Sequence, residues 1–188
     1  MLDAEEYFHL AIHATQHGLH HSAMEYLHKC LEQEPENAKA TFLLAAEHAE
    51  LGLYKRAITG MQKSISLDDK LEMAYYQLAL LYMQQGETKE SYPLWQHLSD
   101  ESGDESLREF AKGMLLLDSM PPQALIHMDR AQELPHPNDF LRNSMASITD
   151  SVRNANPSLP EAQTELEPSV HELFVNAYKD SLFNSDEK

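Results

Sequence analysis

Three stretches decide the reading of this chain: LAIHATQHG at residues 10–18, LAAEHAELG at residues 44–52 and LALLYMQQG at residues 78–86. Each opens on Leu-Ala and closes on Gly, and Gly18, Gly52 and Gly86 recur every 34 residues. Ala11, Ala45 and Ala79 keep the same step, which Gly113 extends once more. A fixed step of this size marks an array of like units rather than one irregular core. The closing Gly suits a turn between two helices, because without a Cβ it takes positive φ freely.

Working outward, each stretch sits in a helix followed by a second helix. In unit one, Tyr7, Leu10, Ala11 and Ala14 stand at i, i+3, i+4 and i+7, and Ala23, Leu27, Cys30 and Leu31 form the facing stripe, with Pro35 as the stop. Unit two repeats this with Leu44, Ala45, Tyr54, Ala57, Met61 and Ile65; Asp68 and Asp69 are placed to cap the helix that follows. Unit three carries Tyr75, Leu78, Ala79 and Tyr82, then Pro93, which belongs in the first turn of its second helix. Residues 99–105 read as a polar loop. Unit four keeps Gly113 in register, but its turn becomes Met120-Pro121-Pro122 and Ala124 arrives one residue early, with Met128 and Ala131 completing the stripe. Phe140, Leu141, Met145, Ile148 and Val152 line one side of a further helix over 139–153 that covers the end of the stack.

These residues resemble the tetratricopeptide repeat (TPR) family, whose pattern asks for a bulky residue, Leu and a small residue, an aromatic, and later Ala and Pro. Thr41 and His48 depart from it, as does Ser91. The resemblance implies an all-α, right-handed solenoid of antiparallel helix pairs. The expected organisation is a TPR domain over 1–153 with units at about 4–37, 38–71, 72–105 and 106–138, the capping helix 139–153, a linker over 154–168 and a C-terminal amphipathic helix over 169–183.

Composition narrows the function classes. The 188 residues carry 31 acidic against 14 basic side chains, a formal charge of −17. That balance opposes nucleic-acid binding, which needs clustered Lys and Arg, and opposes an anionic membrane surface. The start MLDAEEYFHL lacks a secretory signal and no apolar run is long enough to cross a membrane, so a cytoplasmic protein is expected. The single cysteine, Cys30, falls at a packing position and reads as a buried, inert thiol.

A second apolar stripe runs along each first helix: Phe8 and Ile12; Phe42, Ala46 and Ala49; Met73, Tyr76, Leu80 and Met83; Leu107, Phe110, Met114 and Leu117. By resemblance these positions line the concave surface of a TPR superhelix, where they would receive an apolar helix or extended segment of a partner. The alternative is that some are interior in so short a solenoid. The Lys, Arg and Asn clamp by which chaperone-linked TPR domains hold acidic C-termini is missing from these positions.

Beyond the linker, Val170, Leu173, Phe174, Ala177, Tyr178 and Leu182 form one side of a helix. A tether of this length holds it at about millimolar effective concentration, so it is a natural occupant of the groove, and packing on the convex side is the rival placement. Exchange of that helix between copies would give a homo-oligomer. A further resemblance, to the small acidic TPR chaperones of type III secretion, implies shielding of an apolar client.

His9, His13 and His17 share one face of the first helix, but no second ligand pair stands at a recognised spacing, and neither metal nor cofactor is expected. No phosphate-binding loop or nucleophile motif is present, so the expectation is a protein-binding scaffold and not an enzyme.

Overall fold

A computed structural model describes residues 2–136 and 138–155; the expected C-terminal helix over 169–183 and most of the linker before it lie outside the described residues. Among the described residues there are nine helices and no strand. They run α1 (Ala4–Gln16), α2 (His20–Gln33), α3 (Ala38–Glu50), α4 (Tyr54–Leu67), α5 (Glu72–Gln84), α6 (Thr88–Glu101), α7 (Glu105–Leu116), α8 (Pro121–Glu133) and α9 (Asp139–Ala155). Helices α1, α3 and α5 start one period apart, as do α2, α4 and α6; α7 and α8 each start one residue early.

The pairs turn where the glycines stand. Gly18, Gly52 and Gly86 have φ of 67°, 71° and 75°, and each glycine and the residue after it donate back to close the helix end, as from Gly18 N to Thr15 O and Leu19 N to Ala14 O. This is the left-handed region that a side chain disfavours. Unit four turns without glycine: Pro121 and Pro122 open α8, where a missing N–H costs nothing because the first turn has no acceptor for it.

Packing follows the small residues. Ala11, Ala23, Ala57, Ala79 and Ala124 are fully buried, and a Cβ added at Gly113 would lie 2.7 Å from Met128 Cγ and 2.9 Å from the Ala124 carbonyl. Helices α7 and α8 therefore touch almost backbone to backbone. Cys30 is buried as read, and burial, with Glu34 adding to it, pushes its thiol up from the usual range. Two core clusters result, one over units one to three and one running from Tyr75 through unit four to Leu141 and Met145 of α9; Ile65, Met73 and Leu94 pack against both.

Three local readings are corrected. Asp68 and Asp69 do not cap α5, whose N-cap is Leu71; Asp68 ends α4 and its carboxylate accepts from Lys70 N at 3.0 Å. Pro93 lies in the second turn of α6 rather than the first, leaving the Lys89 carbonyl, on an exposed residue, to water. The polar loop shrinks to residues 102–104, because α6 continues through Glu101; Asp104 caps α7 by accepting from Ser106 N and Leu107 N.

Candidate functional site

The second stripe is less open than its sequence implies. Ile12, Phe42, Ala46, Ala49, Tyr76, Leu107, Phe110 and Met114 are all buried. Phe8, Met73, Leu80, Met83 and Leu117 are half-buried. The apolar surface left on these positions is thus a narrow seam: three of its members stand on α5, and Leu117 repeats the position of Met83 one unit later.

In units three and four the stripe is covered in part by α9. The Tyr76 hydroxyl meets Ser144 Oγ at 2.8 Å, a buried bond between residues 68 apart in sequence. Leu141 and Met145 enter the same core cluster as Tyr76, Leu107, Phe110 and Met114. Beneath the bond, Tyr76, Trp95 and Phe110 form a mutual aromatic group, with centroids 5.7 Å, 6.0 Å and 6.1 Å apart. Edge-to-face rings fix one another's orientation. Burial pushes the Tyr76 hydroxyl well above its usual range, the Ser144 hydrogen bond opposing that. The hydroxyl therefore stays protonated.

Three polar nodes join neighbouring elements. Glu47 of α3, fully buried, accepts from Thr15 Oγ1 of α1 and from His20 Nδ1 of α2, the latter at 2.7 Å. Glu109 of α7 accepts from Lys112 at 2.7 Å and from His127 of α8 at 2.9 Å. Burial pushes the Glu109 carboxyl up, but those two hydrogen bonds and the Lys112 and Arg130 charges outweigh it and hold it below the ordinary range. His136 accepts from Asn138 N through Nδ1, and its Nε2 faces Asp104 Oδ2 at 3.2 Å, which ties the segment before α9 to the start of α7.

None of these nodes has the form of a catalytic relay. In a nucleophile–base pair the hydroxyl donates to imidazole. Here Thr15 and His20 both donate into one buried carboxylate, so neither activates the other. The nodes were missed in the sequence because their partners lie 18 to 32 residues apart, at positions the repeat pattern does not single out.

Solved structures of similar shape are informative. The chain aligns with a crystal structure of MamA at TM-score 0.59 and 21% identity, over 69% of this chain and 77% of that one. A MamA from Desulfovibrio magneticus RS-1 aligns at TM-score 0.60 and 16% identity, over 98% and 97%. YrrB, described as a TPR protein with an unusual peptide-binding site, aligns at TM-score 0.59 and 19% identity, over 94% and 92%. The fold is a TPR solenoid. No protein-family model matches the chain, and no curated protein matches it. Within the TPR solenoid, the half-buried seam on α5 and Leu117 lies on the stripe that the sequence assigned to the groove. Among the described residues, no helix is long and apolar enough to cross a membrane.

Proposed function

We propose that this chain is a protein-interaction module, not an enzyme, and that it receives an apolar helix or extended segment along the second stripe of its first helices. The observation that carries this is the half-buried row of Met73, Leu80 and Met83 on α5 with Leu117 at the matching position one unit later. Met and Leu side chains adapt to a partner's surface, and a half-buried row gains more from being covered than scattered side chains do. The peptide-binding site of the similarly shaped YrrB supports the reading. The setting is the cytoplasm, and neither nucleic acid nor a membrane is the target.

The occupant within reach is the chain's own segment 169–183, through Val170, Leu173, Phe174, Ala177, Tyr178 and Leu182. A shielded client or a second copy would use the same seam in trans. The test is amide hydrogen exchange of the full chain, of Phe174→Asp and of Leu80→Asp. Faster exchange through α5 in both variants, reversed in Phe174→Asp by adding a peptide of residues 169–183, is the expected result. If neither substitution changes α5, the segment is not the occupant. If the protection is concentration-dependent and the mass is that of a dimer, the helix is exchanged between copies.

A further inference from the structure

The histidines of α1 have a geometry that goes beyond protein binding. We propose that His13 and His17 form a two-ligand site for a borderline divalent cation, Cu2+, Ni2+ or Zn2+. Both side chains are exposed, and they stand one turn apart on the same face with ring centroids 4.2 Å apart and planes inclined by 33°. Their spacing is set by the helix itself, so no loop has to be ordered to bring the two donors together.

The tautomer of His17 is fixed by its surroundings. Its Nδ1 lies 2.8 Å from the His13 carbonyl, an atom that can only accept, so Nδ1 carries a proton and Nε2 is the nitrogen left to a metal. A ring nitrogen held by a backbone carbonyl is the arrangement that orients imidazole as a metal ligand. His17 is also the C-cap of α1, the helix end whose carbonyl dipoles favour positive charge. The formal charge of −17 favours cations throughout the surrounding solvent.

The nearest other histidines face carboxylates. His9 turns back toward Glu5, with Nε2 at 3.9 Å from Oε1, and His20 donates through Nδ1 to Glu47. Among the described residues no three His, Cys, Asp or Glu side chains converge on one point. The site is thus bidentate, and its remaining positions fall to water or to a donor carried by a bound protein. Imidazole pairs of this kind rank the metals in the order Mn2+, then Ni2+ and Zn2+, then Cu2+.

The test uses the untagged full chain near neutral pH, titrated with Cu2+, Ni2+, Zn2+ and Mn2+ by calorimetry, with thermal unfolding as a second readout. One equivalent should bind, with affinity rising from Mn2+ through Ni2+ and Zn2+ to Cu2+, and the cation should raise Tm, because the chelate exists only in the folded helix. His13→Ala and His17→Ala should each weaken binding by at least about tenfold, while His9→Ala and His21→Ala leave it unchanged. His13 is exposed on the helix and His17 is exposed at its C-cap, where alanine keeps the fold, so a loss reads on the ligand. The paramagnetic resonance spectrum of the Cu2+ form should show two imidazole nitrogens. The absence of saturable binding, a single nitrogen, or full affinity in the His13→Ala/His17→Ala double variant overturns the proposal.

Discussion

Removing one oxygen tests how α9 is held on the solenoid. Tyr76→Phe keeps the ring packed between Trp95 and Phe110 but deletes the hydroxyl that meets Ser144. Ser144 is only 2% exposed, so water does not replace the lost partner, and a buried hydroxyl without one costs about 1–3 kcal/mol. Ser144→Ala strands the Tyr76 hydroxyl in the same way and should cost a similar amount. The double variant removes both polar ends, which exchanges a hydrogen bond for apolar contact and should be less destabilised than the two single losses added together. The cycle should give a coupling of about 1 kcal/mol. In urea unfolding followed by tryptophan fluorescence, the midpoint falls in each single variant and partly recovers in the double. In thermal unfolding the single variants should lose about 2–4 °C per kcal/mol for a domain of this size. Additive losses, or single variants equal to wild type, would show that Ser144 does not anchor α9 to α5.

Three other outcomes follow from the same geometry. Gly113→Ala places a Cβ against Met128 Cγ and the Ala124 carbonyl and should destabilise by about 1–2 kcal/mol in chemical unfolding, overpacking exceeding the helix-propensity gain. Gly52→Ala meets no atom within 4 Å, so its cost of about 1 kcal/mol is backbone strain at positive φ, and Gly52→Asn should be milder, which separates strain from collision. Burial pushes His48 down, aided by the Arg56 and His28 charges, and burial likewise lowers His136 against the pull of Asp104. The unfolded chain then binds more protons than the folded one below about pH 6.5, so stability from these groups is complete above that pH and is lost as pH falls through their folded values. Urea midpoints should therefore drop between neutral pH and about pH 5, and His136→Gln should flatten part of the slope; a midpoint that rises on acidification would contradict the sign.

The repeat was legible because its signals are local: a Gly that needs positive φ, an Ala where helices touch, and a fixed step between them. The capping box of α1, with Asp3 and Glu6 each accepting from the other's backbone, was also within reach as an Asp followed three residues later by Glu. Exposure was harder. Tyr76 and Phe110 lie on the same stripe as Met83 and Leu117, yet the first two are interior, closed over by Trp95 and by Ser144 of α9, and Phe42, one period before Tyr76, is buried as well. Cap assignments failed where two candidates competed, as with Asp68 and Leu71, since a carboxylate can close its own turn as readily as it caps a neighbouring helix.

The Glu47 node makes the units non-interchangeable. Its two donors belong to the unit before it, and no equivalent carboxylate stands at Leu81, one period later. A copy of unit three placed between units one and two would separate Glu47 from Thr15 and His20 and leave its buried carboxyl without those two partners. Growth of this array by duplication is therefore closed at its first junction, and closed again between units three and four, where an insert would part Tyr76 of α5 from Ser144 of α9; an engineered insert belongs between α4 and α5.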